Sequence, residues 1–255
     1  MTWNPDQYER FREERSQPFF DLLDLCEPRP HMRAIDLGCG TGELTAQLHT
    51  RLSVGETVGI DSSPAMLEKS RAHEAPGLRF ELGDIATYAL SGPYDLVFSN
   101  AALHWLPDHP GLFERLTRAL APGGQLAVQV PANHEHPSHT VASEVAAEAP
   151  FLEALGGYVR DRKPILEPEE YATLLHALGY RRQKVRLYVY GHPLVARSDV
   201  VEWVKGTLLT AYQRRLPEEL YPLFIERYRE RLLPRLGDHD PYFFPFKRVL
   251  FWAER

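Results

Sequence analysis

The sequence predicts a doubly wound α/β fold, with a mostly parallel sheet, an antiparallel last strand and a helical lid insertion. Three observations predict it. Short β-rich runs alternate with amphipathic segments over the first two-thirds of the chain. A glycine loop joins the first of those runs to a helical stretch. A separate pair of helical patterns lies outside the alternation, between 195 and 242.

The elements follow in order. An amino-terminal cap helix is expected over 5–26, carrying Tyr8, Phe11 and Arg15. Strands are expected at Ala34-Ile35-Asp36-Leu37, Thr57-Val58-Gly59-Ile60-Asp61, Leu78-Arg79-Phe80-Glu81-Leu82, Tyr94-Asp95-Leu96-Val97-Phe98-Ser99 and Gln125-Leu126-Ala127-Val128-Gln129-Val130. Between them, Ser63-Pro64 opens one helix, and a second follows Pro107-Asp108 with Leu112, Leu116 and Leu120 at spacing four. Ala121-Pro122-Gly123-Gly124 should end that second helix in a turn. From Pro131 to Pro168 prolines and histidines replace the alternation, before a helix over Glu169 to Leu178 and a strand over Lys184 to Tyr190. Two further helices carry Val201, Val204, Leu208 and Tyr212, then Leu220, Phe224, Tyr228 and Leu232; their apolar faces need a partner, which suggests a lid. The final run, Arg248-Val249-Leu250-Phe251-Trp252-Ala253, is expected to close the sheet as an edge strand.

At 255 residues and 44% hydrophobic composition, the chain can bury one large core. One domain is expected, with a sheet core over 33–130, 169–190 and 246–254 and lid insertions over 131–168 and 195–242. A formal net charge of -6 argues against a nucleic-acid partner. No apolar run approaches the roughly 20 residues of a membrane span, so no membrane partner and a cytoplasmic location are expected. Cys26 and Cys39 lack the number and spacing of a disulfide framework and are expected as free thiols. His134, Glu135, His136 and His139 are interrupted by Pro137 and fit no familiar zinc spacing, so no metal is expected. The basic run Arg181-Arg182-Gln183-Lys184-Val185-Arg186 has no aromatic platform beside it and reads as a solvated strand face.

Chemistry concentrates at the glycine loop. Asp36 ends the first strand, and Gly38-Cys39-Gly40-Thr41-Gly42 then leads into a helix, which turns backbone amides toward a nucleotide-like ligand. A dinucleotide fingerprint needs a third glycine where this chain has Glu43, and a P-loop needs a lysine the loop lacks. Glu43 at the helix start would repel phosphate, but not an adenosine that carries a sulfonium and an amino acid. The loop therefore favours S-adenosylmethionine. Asp61, about twenty residues on, can accept from both ribose hydroxyls. Asp84 after Gly83 can accept from the adenine amino group beside the Ile85 amide, with Ser62 and Met66 flanking the ring. Asp36, Asp61 and Asp84 fall at successive strand ends, which is less expected of capping aspartates alone.

Ile35-Asp36-Leu37-Gly38-Cys39-Gly40-Thr41-Gly42, Gly59-Ile60-Asp61, Gly83-Asp84 and Leu120-Ala121-Pro122-Gly123-Gly124 resemble the motif set of the class I methyltransferases, whose sheet is Rossmann-like. A narrower resemblance is carried by Trp3-Asn4-Pro5, Tyr8, Phe11 and Arg15, by Ser99-Asn100-Ala101-Ala102-Leu103-His104-Trp105-Leu106-Pro107-Asp108-His109, and by Leu126-Ala127-Val128-Gln129-Val130-Pro131-Ala132-Asn133. These segments are similar to the trans-aconitate 2-methyltransferase family, and the similarity thins through Ser198 to Val204 and the last strand. The resemblance implies transfer of a methyl group from S-adenosylmethionine to one carboxylate of a small acid, trans-aconitate foremost. It also implies cofactor contacts from Trp3, Tyr8, Arg15, Asn100 and Ala101. Another acid, such as a malonyl carrier-protein ester, or a cofactor-binding regulator without activity, stays open as an alternative.

The acceptor chemistry needs no general base, because a carboxylate with a pKa near 4 is already ionised at neutral pH. Catalysis then reduces to placing the oxygen and excluding water. His104 and Trp105 are expected to position the reactants, with Trp105 facing the sulfonium and the acid. An acid with several carboxylates needs cationic partners, and Arg160, Lys205 and Lys247 are the leading candidates among Arg162, Lys163, Arg214 and Arg248. Where the family carries Gly-Leu-Arg-Pro, this chain has Leu208-Leu209-Thr210-Ala211, so an arginine there is replaced by Thr210.

Overall fold

The computed structural model describes residues 12–160 and 165–255. Trp3, Tyr8, Phe11, Arg162 and Lys163 lie outside the described residues. Strands β1 (Arg33–Leu37), β2 (Glu56–Asp61), β3 (Leu78–Leu82), β4 (Tyr94–Asn100), β5 (Leu120–Pro131), β6 (Arg182–Leu194) and β7 (Tyr242–Glu254) form one sheet. Its order is β3-β2-β1-β4-β5-β7-β6. β1 pairs in parallel with β2 and β4, as do β2 with β3 and β4 with β5, whereas β5 and β7 are antiparallel.

The helices are α1 (Arg12–Leu23), α2 (Glu43–Arg51), α3 (Pro64–Ser70), α4 (His109–Arg118), α5 (Pro137–Ala146), α6 (Phe151–Ala154), α7 (Pro168–Ala177), α8 (Asp199–Lys205), α9 (Thr210–Gln213) and α10 (Leu220–Leu232). α3 begins as its sequence suggests, with Ser63 capping the Met66 amide and Pro64 in the first turn. α1 ends at Leu23 rather than at 26, because Glu27 turns both its backbone N–H and C=O to the side chain of Gln125.

Two expectations need correction. Leu120 does not continue the helix of Leu112 and Leu116: α4 stops at Arg118, and Leu120 opens β5 opposite Tyr94. The Pro122-Gly123-Gly124 segment is thus the irregular start of a strand, where the β4–β5 register shifts between Tyr94 and Leu96. The second correction concerns β7, which is an interior strand between β5 and β6. Its residues Val249 to Ala253 are buried on both faces, as an interior position requires, while β6, with Leu187 50% and Val189 59% exposed, is the edge.

The chain divides into two compact units. The sheet unit comprises 15–131, 165–188 and 248–255. On one face of its sheet Phe19 of α1 meets Phe98 at 5.1 Å. On the other, Phe113 of α4 and Tyr171 of α7 meet Phe251 at 5.5 and 4.8 Å. Burying side chains of this size contributes about 1.5–3 kcal/mol each. Between α4 and α7 the buried His109 bonds Tyr171 Oη at 2.6 Å and the Leu103 carbonyl at 3.1 Å, and burial holds its pKa below the ordinary value.

The helical unit takes in 132–160 and 189–247. Val201, Val204, Leu208 and Tyr212 share one apolar core with Phe224, Tyr228, Leu232, Trp203 and Phe244. α5 covers part of these apolar faces: its Val141, Ala142 and Val145 join the same core, and Tyr228 Oη donates to the Ser138 carbonyl at 2.7 Å. The insertion after Pro131 is therefore not loosely structured, since α5 and α6 fall within it. No described helix is long and apolar enough to cross a membrane.

Candidate active site

From β1 the chain steps outward to β2 and β3, then returns to the other side of β1 for β4. The loops after β1 and β4 therefore leave the sheet in opposite directions at the carboxyl ends of the strands, the topological switch point where α/β folds bind ligands.

The loop after β1 is held by β2. Gly38 and Cys39 amides both donate to the Ile60 carbonyl at 2.9 Å. Asp61 Oδ2 accepts the Gly40 amide at 3.0 Å, and Oδ1 accepts the Ser63 amide at 2.8 Å. The three glycines then differ in what surrounds them. A Cβ on Gly38 would stand 2.3 Å from Ala102 Cβ, and one on Gly42 2.7 Å from the Phe80 ring and from Ser70 Cβ. Those two let the loop pack. Gly40, at φ +57°, faces open space, so it offers bare backbone to a ligand.

Asp36 is buried beneath the loop and accepts Thr45 Oγ1 at 2.6 Å. Desolvation pushes its pKa up to about 7 against the opposing Thr45 hydrogen bond, with the nearby Asp61 charge adding to the rise. A buried acid of this kind, next to a second carboxylate, suits a cationic ligand. Cys39 is buried as well, and desolvation raises its thiol pKa, so it is no nucleophile.

Across the switch point, Ser99 Oγ donates to the Leu37 carbonyl at 2.8 Å and ties β4 to the end of β1. Asn100 ends β4 with its side-chain Oδ1 buried and unpartnered. Ala101 follows at φ +56°, a strained conformation for a residue with a Cβ, held by its amide on the Gln129 carbonyl at 2.9 Å. A 3-10 turn over Leu103–Trp105 then presents His104 and Trp105 with ring centroids 4.7 Å apart, Trp105 remaining 49% exposed.

The outer members of the predicted set are less closely joined. Asp84 is exposed, and its Oδ1 accepts the Ala86 amide at 2.9 Å in the turn after β3. Arg115 hydrogen-bonds the Ile85 carbonyl, which fixes that turn. Ser62 is exposed and Met66 half-buried at the start of α3. Arg15 lies on α1, one turn before Phe19.

Of the expected acid-binding cations, Arg160, Lys205, Arg214 and Lys247 belong to the helical unit, whereas Arg248 is buried on β7 in the sheet unit. Lys205 pairs with Glu202 at 2.8 Å, and Lys247 with Glu135 at 3.6 Å. Arg160 is half-buried, and desolvation lowers its pKa; its amide donates to Tyr212 Oη at 3.4 Å and its carbonyl accepts from Ser143. Of the histidines near 134–139, His136 caps α5 through the Ser138 amide at 3.1 Å, and His139 bonds Ser138 Oγ at 3.0 Å. In the basic run, Arg182 pairs with Glu27 at 2.5 Å and Glu254 at 2.7 Å.

Gln129 escapes sequence reasoning altogether as a site residue. It lies opposite Asn100 in the β4–β5 register, fully buried, with neither side-chain polar atom partnered. The only trace in the sequence is a polar residue amid the apolar run Leu126 to Val130.

Known proteins share this fold. A family model described as a methyltransferase domain matches residues 28–177. Among solved structures, the YcgJ protein of Bacillus subtilis superposes with a TM-score of 0.59 at 15% identity, covering 93% of this chain and 97% of that one. Phosphoethanolamine N-methyltransferase 2 of Haemonchus contortus, solved with S-adenosyl-L-methionine, gives 0.55 at 18% identity, covering 93% and 52%. At such identities the likeness concerns the fold. The fold and its switch-point loop are those of the class I methyltransferases. A trans-aconitate 2-methyltransferase from Deinococcus radiodurans is 47% identical over 100% of this chain and 99% of its own length. Another, from Variovorax paradoxus, is 42% identical over 91% and 89%. The chain belongs to the trans-aconitate 2-methyltransferase family.

Proposed function

We propose that this chain transfers the methyl group of S-adenosylmethionine to one carboxylate of trans-aconitate, giving a monomethyl ester. The observation that carries the acceptor is the end-to-end relationship to the Deinococcus radiodurans protein of that name, at 47% identity. The cofactor rests on the switch point itself: the open backbone at Gly40, Asp61 beside it and the buried Asp36 fit an adenosine with a cationic tail.

In this reading Asp61 takes the ribose, and Asp84, Ile85, Ser62 and Met66 take the adenine. Asp36, Asn100 and Ala101 take the amino acid portion, with Trp3, Tyr8 and Arg15 as further contacts. When bound, S-adenosylmethionine supplies a methyl carbon that an acceptor oxygen takes as the carbon–sulfur bond breaks with its electron pair to sulfur. The acceptor arrives ionised, so no side chain of the chain has to remove a proton. Trp105 presents an aromatic surface suited to a sulfonium and sheds water from the reacting oxygen. His104, its ring tilted against that of Trp105, orients Trp105 and donates a hydrogen bond rather than serving as a base. Arg160, Lys205 and Lys247 are the cations proposed for the acid, Arg160 as a partly desolvated guanidinium whose burial an anion would offset. Lys205 and Lys247 each already face a carboxylate.

The test is to incubate the protein with methyl-labelled S-adenosylmethionine and a panel of di- and tricarboxylates, and to read ester formation. Label on trans-aconitate, lost on alkaline hydrolysis, is expected; absence of ester on every acid would overturn the proposal. Thr210 favours one second reading, a related acid with fewer carboxylates. Its hydroxyl donates to the Thr207 carbonyl at 2.5 Å and cannot stand in for an arginine, so the panel includes such acids. We further place the reaction in the cytoplasm, where the free thiols Cys26 and Cys39 stay reduced, and without nucleic acid, since Arg182 is neutralised within the chain.

A further inference from the structure

Four strand ends at the switch point carry polar side chains on the same face of the sheet. Asp36 is registered with Phe98, Phe98 with Ala127, and Asn100 with Gln129, so Asp36, Asn100 and Gln129 share a face. Asp36 is also registered with Gly59, which puts Asp61, two residues on, on that face too. Across the sheet the order is Asp61 on β2, Asp36 on β1, Asn100 on β4 and Gln129 on β5, with strands about 4.8 Å apart.

Gln129 is the anomaly in this row. It has no exposed surface, sits on an interior strand, and leaves both Nε2 and Oε1 without partners. Buried carboxamides in folded proteins are paired as a rule. Gln125, four residues earlier on the same strand and face, obeys the rule. Its Oε1 accepts from the Glu27 amide at 2.8 Å and from Trp252 Nε1 at 2.7 Å, and its Nε2 donates to the Glu27 carbonyl at 2.7 Å. Gln125 is a structural residue by every measure, and Gln129 is not. The neighbouring Asn100 Oδ1 is likewise buried and unpartnered, so the two vacant hydrogen-bonding groups lie side by side across β4 and β5.

The order of strands gives the direction of the ligand. If Asp61 takes the ribose and Asn100 the amino acid end, the reacting carboxylate falls one strand farther from the glycine loop, at β5. We propose that Gln129 binds the acceptor: Nε2 donates to the carboxylate oxygen that is not methylated. This rests on the function proposed above. A neutral donor is the chemically apt choice. It orients the carboxylate without cancelling the negative charge that attacks, and it does not repel a cationic cofactor as an arginine would.

The test compares wild type with Gln129→Leu, Gln129→Met and Gln129→Glu. Wild-type turnover of the acid panel checks the proposed function by itself; if no acid is methylated, that function and this inference fall together. With turnover present, the variants decide the inference alone. Gln129→Leu and Gln129→Met are expected to raise KM for the acid about 30-fold, the loss of one hydrogen bond to a charged group, with S-adenosylhomocysteine affinity within about twofold of wild type. Gln129→Glu is expected to lose more than either, about 100-fold or beyond in kcat/KM, because it sets two carboxylates against each other. If Gln129 instead held the amino group of the cofactor, Gln129→Glu would bind S-adenosylhomocysteine more tightly and the apolar variants less tightly, which would overturn the inference. Wild-type KM in Gln129→Leu or Gln129→Met would also overturn it. Gln129→Met preserves length and apolar packing, so a folding defect in the charged variant leaves the test intact.

Discussion

Asp61 grips the backbone of Gly40: its Oδ2 accepts the Gly40 amide at 3.0 Å while Oδ1 holds the Ser63 amide at 2.8 Å. One carboxylate thereby fixes the glycine loop to the end of β2 and caps the approach to α3. Its remaining lone pairs are the ones available to a ribose. Asp61→Ala removes the loop's anchor together with the proposed ribose contact, so S-adenosylhomocysteine affinity should fall about 100-fold or more by calorimetry. Asp61→Asn should fall nearly as far, since its amide N–H cannot accept from a backbone N–H. Wild-type affinity in Asp61→Ala would refute the assignment.

The loop's glycines should separate into two kinds of variant. Gly40→Ala meets no neighbouring atom and has only the left-handed conformation to bear, about 1–2 kcal/mol, yet it would project a methyl group into the proposed cofactor site. Gly42→Ala drives a Cβ to within 2.7 Å of Phe80 and Ser70. The expected result is a nearly normal melting temperature with poor cofactor binding for Gly40→Ala, and a much lower melting temperature for Gly42→Ala. Thermal melts with and without S-adenosylhomocysteine distinguish the pair, and equal loss of stability in both would contradict the assignment.

If Asp36 faces the cofactor as proposed, cofactor binding should be pH-dependent. Its pKa in the folded protein is about 7 against an ordinary 3.8, so folding favours the protonated acid. The ligand-free protein gains most from this group below about 4 and loses that contribution as pH rises through about 7. A cationic ligand favours the ionised form, so affinity should climb with pH, by up to tenfold per unit below about 7, and level off above it. Titration of S-adenosylmethionine binding between about pH 5 and 8 checks the slope. Asp36→Asn should flatten it, and an unchanged slope in that variant would show that another group is responsible.

His104→Gln should retain appreciable turnover, within about tenfold of wild type in kcat, because an ionised carboxylate needs no base. Its pH–rate profile should keep the shape of the wild type through the histidine range. A loss of several orders of magnitude with folding intact would assign His104 a proton-transfer role.

The glycine loop was legible because its rule is local: alternate glycines after a strand dictate a turn, and Asp61 follows at a spacing that the βαβ unit sets. The same holds for Ser63-Pro64 at the start of α3. The position of β7 was not legible, since the composition of Val249 to Ala253 says that the strand is apolar but not which neighbours it pairs with. The spacing of Leu120 from Leu116 suits a helix, and only its pairing with Tyr94 overrules that local signal. The cations show the limit from the other side. Lys205 and Lys247 look available in sequence, and Glu202 and Glu135 take them in three dimensions. Gln129 hid because one polar residue in a buried strand carries no pattern.

The interior position of β7 also constrains how the chain can be assembled. β6 precedes β7 in sequence yet borders it on the outside, so the sheet cannot grow in the order in which a ribosome delivers its strands. When residues 182–194 emerge, the flank of β5 is bare and the strand meant for it has not been made. The nascent protein must keep β6 off that flank until 242–254 arrive, or expel it afterwards, which makes the finishing of this sheet a late, long-range event rather than a local one.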